Sequence, residues 1–370
     1  MSDAAQPVVL VASSEFTLKS SPVRRTLEQR LIDDLKFALT RAGFDGFRVE
    51  KEAGRLVVLG AKGPANPAAP CSSVFGVAYA APAQLLMHVS LADITGTIAS
   101  LAHQRLQTGQ SFAVRAHRST PGGISRRDVE VKGGAEVLQV MKQQGVTVDL
   151  DDPDLTFYVD LVGEDAYVYC ERLQGPGGLP LSSQWKMLVV LDSGPLSILA
   201  AYAMMRRGCV VELFIPTSAM IRGLDARTQL ALARRLDRLV TRPNHKAFTL
   251  EIDQLLEKSS DDLHPKSDGW KHLVRSLAAR FAKEKRFKAM VLGDVSGNLD
   301  ASTVSKAELP VFYPLLGLEG EDLAELSSLA RVSNDDLMPD EELKYSSSPV
   351  QGRDIGFTAE FGHLVHELKF

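Results

Sequence analysis

Two sets of side chains in this sequence could do chemistry. The first is basic. Lys19, Arg24, Arg25, Arg30 and Arg41 cluster early in the chain, and Arg105, Arg115, His117, Arg118, Arg126, Arg127 and Lys132 fall within a short later span. The run Arg115-Ala-His-Arg-Ser-Thr-Pro-Gly-Gly-Ile-Ser-Arg-Arg127 interleaves guanidinium groups with Ser and Gly. Guanidinium forks and open N–H groups meet phosphate oxygens well. Lys19, Arg24, Arg25, Arg115, Arg118, Arg126 and Arg127 are therefore the expected contacts to a phosphodiester backbone. The competing reading is a solvated charged face. The second set is the turn Asp192-Ser-Gly-Pro-Leu-Ser197. Small residues before a helix let main-chain amides approach phosphate. Ser193, Gly194 and Ser197 suit that role, whereas Pro195 removes one donor. No GxxxxGK[ST] occurs, so this is not a Walker loop. A plain β-to-α turn is the alternative.

Other candidates carry less. His363 and His366 are three apart and could share a helix face, but no cysteine or carboxylate set completes a metal site, so a surface or packing role is preferred. His264 and His272 have no ligand spacing. The three cysteines, Cys71, Cys170 and Cys209, are scattered and odd in number. They form neither a disulfide framework nor a CxxC knuckle, and Cys170 and Cys209 read as small core residues. No GxSxG nucleophile elbow is present.

The bulk composition bounds the setting. A length of 370 residues implies two or three domains. A net charge of −4 means that any basic surface is local. The cysteine usage fits a reducing cytoplasm. The start of the chain lacks a signal-peptide pattern, and no apolar run approaches the roughly 20 residues that span a bilayer.

The elements that must position these groups are legible as periodicities. Val8–Ala12 reads as a strand. Ser21-Pro22 opens a helix in which Val23, Leu27, Leu31, Leu35 and Ala38 form one apolar face, and Gly43 ends it. Strands at Phe47–Lys51 and Leu56–Leu59 follow about a turn at Ala53-Gly54. This order suggests a ferredoxin-like half. Lys62–Pro70 reads as a linker. An amphipathic helix is expected over Asp93–Arg105 and a strand over Ser111–Ala116. Ser125 caps a further helix, with Val129, Ala135, Val137 and Leu138 on its buried side and Gly133-Gly134 weakening it. Leu155–Val162 and Ala166–Glu171 form a hairpin. Gly175 to Gly208 then combines a flexible joint, an apolar strand at Lys186–Leu191, the turn, and a helix. Strands and helices alternate onward to Lys288–Leu292, the pattern of a parallel doubly wound sheet. From Val332 the chain is acidic and irregular.

Taken in order, these segments resemble the tRNA sulfurtransferase (4-thiouridine synthase, thiamine-biosynthesis type) family. Glu15-Phe-Thr-Leu-Lys-Ser-Ser-Pro-Val-Arg-Arg25 is similar to the family's opening LKS…R segment. Val74-Phe-Gly76 resembles its VFG motif, and Ser111-Phe-Ala-Val-Arg-Ala-His-Arg118 its SFxVRxxR motif. Gly175-Pro-Gly-Gly-Leu-Pro180, Ala200-Ala-Tyr202 with Met204-Met-Arg-Arg-Gly208, Gly293-Asp294 and Pro314-Leu-Leu-Gly317 match later motifs. The resemblance implies an α/β and α+β multidomain chain: a ferredoxin-like domain over 1–62, an RNA-binding THUMP domain over 63–174, and a Rossmann-like PP-loop ATPase domain with a parallel sheet over 175–370. It implies tRNA as partner and, in active members, ATP-driven adenylation of a uridine followed by sulfur transfer.

The chain departs from the family where that chemistry occurs. Against the family's SGGxDS loop it has Asp192-Ser-Gly-Pro-Leu-Ser197, so the loop's aspartate falls on Leu196. Tyr313 replaces an arginine before Pro-Leu, and no cysteine follows Cys209. The expectation is a cytoplasmic tRNA-binding protein with a degenerate nucleotide loop at Asp192, Ser193, Gly194 and Ser197. It would have no catalytic residue, no metal and no bound cofactor, and would act as a scaffold, as a homodimer or beside an active paralogue, away from membranes. The alternative is an active sulfurtransferase using ATP with Mg²⁺ and an external sulfur carrier.

Overall fold

The computed structural model describes residues 5–13, 19–52, 54–120, 123–221, 224–239, 246–257, 269–296, 309–330, 347–349 and 365–369. They form two compact units, Met1–Gly177 and Gly178–Phe370.

The first unit runs β1 (Gln6–Ser13), α1 (Ser21–Arg41), β2 (Arg48–Glu52), β3 (Arg55–Leu59), α2 (Ala68–Ser72), β4 (Val77–Leu86), α3 (Leu91–Arg105), β5 (Ser111–Arg118), α4 (Arg126–Val140), β6 (Thr147–Val148), β7 (Leu155–Val162), β8 (Asp165–Tyr169) and β9 (Leu173–Gln174). Among the described residues the strands make one sheet in the order β2-β3-β1-β4-β8-β7-β5-β6, with β9 beside β4. β1 pairs antiparallel with both β3 and β4, and Val8 to Val11, whose side chains alternate between the two faces, are all buried. That is why this strand is a continuous apolar run rather than an alternating one.

Helix α1 buries Leu27, Leu31, Leu35 and Ala38, each leucine worth about 1.5–3 kcal/mol on leaving water. Val23 is 47% exposed, so the apolar face begins one turn later than expected. The expected linker is partly structured: the Asn66 side chain accepts from the Ala68 N–H at 3.0 Å, and α2 buries Ala68 and Cys71. In α4, Val129 and Val137 are buried but Ala135 and Leu138 are exposed. Gly133 sits between the two valines. A Cβ there would lie 2.9 Å from Ile98 Cδ1, so the glycine lets α4 close on α3 and β5 rather than weakening the helix. The expected flexible joint is also pinned. Gly175 N–H donates to Ala78 O, Gly177 N–H to Val77 O, and Gly76 N–H to Gly177 O, each within 2.9 Å.

The second unit runs β10 (Lys186–Val190), α5 (Pro195–Arg206), β11 (Val210–Thr217), α6 (Ala226–Leu239), β12 (Lys246–Glu251), α7 (Asp253–Glu257), α8 (Gly269–Glu284), β13 (Met290–Val291), β14 (Val311–Phe312), α9 (Gly320–Leu329), β15 (Ser347–Pro349) and β16 (Val365–Lys369). The sheet order is β14-β13-β10-β11-β12-β16-β15. The first five strands are parallel and the last two are antiparallel additions. Two strands therefore lie in the stretch read as irregular. His366 belongs to β16 opposite Thr249, not to a helix, and His363 lies outside the described residues. Phe281 of α8 anchors the core, touching the rings of Phe214, Phe248 and Phe287. No helix among the described residues is long and apolar enough to cross a membrane.

Candidate functional site

The expected basic residues are spread over α1, β5 and α4. Lys19 is exposed just before α1. Arg24 and Arg25 follow in its first turns. Arg24 Nε donates to Glu28 Oε1 at 2.8 Å, and Lys51 from β2 reaches the other Glu28 oxygen at 2.6 Å. On β5, residues three apart face opposite sides of the sheet. Val114 points to α4, as the Gly133 packing shows, so Arg118 shares the helix side and Arg115 faces away. Arg115 is exposed and donates to Leu150 O at 2.6 Å. Arg118 is half-buried and donates to the carbonyls of Ile124 and Thr120. Two of its donors are thus directed to the segment between β5 and α4. Arg126 and Arg127 are exposed at the start of α4, where the Ser125 side chain accepts from Asp128 N–H.

Two arginines escaped the sequence reading. Arg55 pairs with buried Asp160, which also accepts from Tyr169 OH at 3.0 Å. Arg172 lies over the Tyr158 ring, 3.6 Å from its centroid, and within 4.7 Å of that of Tyr79. Burial, then the Asp160 charge, push the Tyr169 hydroxyl well above its usual value. The signal was present as Tyr158 in β7 and the alternating Tyr167 and Tyr169 in β8, but the contact that brings Arg55 to Asp160 joins residues 105 apart in the chain.

The turn after β10 sits where ligands bind open α/β sheets. β10, β11 and β12 extend the sheet one way and β13 and β14 the other, so the strand order reverses between β10 and β13. Gly194 takes φ +57, a conformation suited to glycine. The turn's donors are largely spent inside it. Ser193 N–H donates to Ser197 Oγ at 3.1 Å, Ser197 N–H donates to Gly194 O at 3.1 Å, and Pro195 has none to give. Gly293 presses on the start of α5; a Cβ there would lie 2.6 Å from Ser197 N.

Asp192 does not project its charge into the loop, as its sequence position suggests. It is buried, and its Oδ2 accepts from Arg275 Nε at 2.5 Å. Arg275 also donates to Asp294 Oδ1 at 2.7 Å. The three side chains link the ends of β10 and β13 through α8. Burial raises the Asp192 carboxyl, and Arg275 only partly offsets that. Burial alone would lower Arg275, but the two aspartates outweigh it and hold the guanidinium firmly protonated. Arg275 was not singled out from the sequence, because nothing in its helix marks it as a bridge.

Comparison with known proteins gives a consistent picture. A ThiI ferredoxin-like domain model matches residues 8–81, a THUMP domain model residues 89–171, and a thiamine biosynthesis protein (ThiI) model residues 182–332. A probable tRNA sulfurtransferase of Aeropyrum pernix is 32% identical over 337 residues, covering 86% of this chain and 82% of that protein. The tRNA sulfurtransferase of Pyrobaculum aerophilum is 29% identical, and the chain spans 65% of its length. Among solved structures, a 4-thiouridine synthetase–RNA complex with bound ATP superposes with a TM-score of 0.72 at 18% identity, covering 95% of this chain and 89% of that one. A protein from Pyrococcus horikoshii gives 0.65 at 22% identity, with coverages of 87% and 98%. These two likenesses speak to the fold.

Proposed function

The chain belongs to the tRNA sulfurtransferase family, and from that premise we propose that it binds tRNA through its first unit and does not activate ATP in its second. In this reading residues 1–62 and 63–174 are the ferredoxin-like and THUMP parts that meet RNA, and residues 175–370 are a PP-loop scaffold. Lys19, Arg24, Arg25, Arg115, Arg118, Arg126 and Arg127 contact phosphates, and Arg118 also donates to the carbonyls of Thr120 and Ile124. The protein works in the cytoplasm, beside an active paralogue or as a second copy of itself.

One observation carries the proposal about the second unit: Arg275 bridges Asp192 and Asp294 at the switch point. The residues present do not fit a nucleoside triphosphate. Two turn N–H groups are spent internally and a third is absent. Leu196 offers no group to a metal ion, and Arg275, the cation at this switch point, is already engaged by Asp192 and Asp294. Calorimetric titration with ATP and Mg²⁺ tests this. No measurable heat is expected; binding with turnover to AMP overturns it. One feature favours the alternative of an active sulfurtransferase with an external sulfur carrier. Asp294 Oδ2 is buried and, among the described residues, has no hydrogen-bond partner, so it could accept from a ligand.

A further inference from the structure

We infer that the pocket between α1 and the β2–β3 hairpin seats a phosphate group, and that Glu28 stands in for that anion until it arrives. This rests on reading the first unit as an RNA-binding surface and specifies one seat on it. The pocket encloses about 290 Å³ and is lined by Ser21, Arg24, Arg25, Lys51 and Arg55 around Glu28. Among the described residues, four cations and one carboxylate line it. Arg55 is committed to Asp160, which leaves three.

Two of those three are shared by Glu28. Arg24 comes from its own helix and Lys51 from the hairpin edge, at 2.8 and 2.6 Å. The Glu28 side chain is 17% exposed. Burial pushes its carboxyl up, but Lys51 and Arg24 together outweigh burial and hold it below its usual value. Among the described residues, Arg25 makes only a long 3.4 Å bond to Ser21 O. α1 begins at this opening and carries no acidic residue in its first turn, so the helix end itself favours an anion there. Arg24 also lies over the hairpin turn, where a Cβ on Gly54 would be 3.8 Å from its Nη2. The glycine keeps that wall of the pocket low.

Glu28 therefore does two opposed things. It holds Arg24 and Lys51 in place, and it competes with an incoming phosphate for both. A terminal or free phosphate offers more charge and more acceptor oxygens than one carboxylate, and a backbone phosphodiester matches the carboxylate's single charge and two oxygens, so each competes with Glu28 for the two cations. The same chemistry is met in an RNA backbone, an RNA 5′-phosphate or a free anion.

The test uses the full chain and fluorescence anisotropy with an RNA stem-loop carrying either a 5′-hydroxyl or a 5′-phosphate, from about 50 to 200 mM salt. Glu28→Gln keeps the shape and removes the charge. It is expected to bind about tenfold tighter at low salt, with a log–log salt slope steeper by about 1 to 2, because two cations are released to the ligand. Glu50→Gln is the matched control: it frees Arg48 outside the pocket and should stay within about twofold of wild type. Lys51→Gln should weaken binding about fivefold. Glu28→Gln behaving like Glu50→Gln, or Lys51→Gln binding like wild type, overturns the assignment. Tightening on the 5′-phosphate stem-loop alone assigns the seat to a terminal phosphate, and equal tightening on both assigns it to the backbone. If neither RNA binds but inorganic pyrophosphate raises the melting temperature of Glu28→Gln more than that of wild type, the seat stands and the RNA reading falls. No response to either probe overturns both.

Discussion

Arg275 holds two carboxylates with one guanidinium in a site that water does not reach. Removing one partner of such a group costs more than the group contributes, because a buried charge is left behind. Asp192 is the tunable member. Its folded carboxyl binds a proton more tightly than it does in the unfolded chain, where the usual value is about 3.9. The sign follows: the stability it contributes is complete below that value and is lost as pH rises through the folded value. Asp192→Asn should lack this dependence. Melting curves from about pH 3.5 to 6.5 should show wild type losing ground to the variant as pH rises; a constant offset would refute the shift. At this scale the sequence was a fair guide to residue type and a poor one to partnership. The Asp192 turn stood out by its small residues. Arg275 did not, since its partners come from two strand ends that are distant in the chain. Arg118 lay in a legible basic run, but the carbonyls it binds belong to a loop whose path no periodicity encodes.

At the scale of elements, glycines decide how closely layers approach. Gly293 is the sharpest case, because the atoms facing it are backbone: Ser197 N at 2.6 Å and Leu196 C at 2.7 Å from an added Cβ. Gly293→Ala should force β13 away from the start of α5 and cost about 1–3 kcal/mol. It should also loosen the Arg275 bridge. A denaturant midpoint unchanged from wild type would rule this out. At Gly133 the one approach under 3 Å is to the tip of Ile98, which can yield, and Val114 lies at ordinary contact distance, so no comparable loss is expected there. Helices and buried parallel strands were legible because their periods are local: α3, with its Ser90–Asp93 capping box, lies within two residues of its expected start. The short α2 was hidden by a Pro/Ala/Gly composition that normally marks a linker, and it is held by the Asn66 side chain bonded to the Ala68 N–H and by two buried small residues.

At the scale of the molecule, the chain resolves into two units of different logic. One is a mixed sheet with helices, the other a mainly parallel sheet extended at one edge. The order of parts was legible from motifs spread along the chain. The continuity of the first sheet was not, because β4 joins β8 through pairs such as Gln84 with Val168, a register set only when distant segments meet. A fragment covering residues 1–177 should melt cooperatively by itself and keep its RNA affinity within about threefold at fixed salt. A fragment that melts without cooperativity, or that loses RNA affinity, would show that the two units depend on each other.

One detail of the second sheet bears on how the chain is made. β12 is flanked on its outer side by β16, fastened through Lys246 and Glu367 at 2.9 Å. That neighbour is synthesised more than a hundred residues after β12. Throughout that interval on the ribosome, the nascent sheet presents an open row of amides and carbonyls, the kind of border that recruits strangers. A premature stop before residue 365 would leave that border open, so early-terminated products should be the ones that clump in the cell.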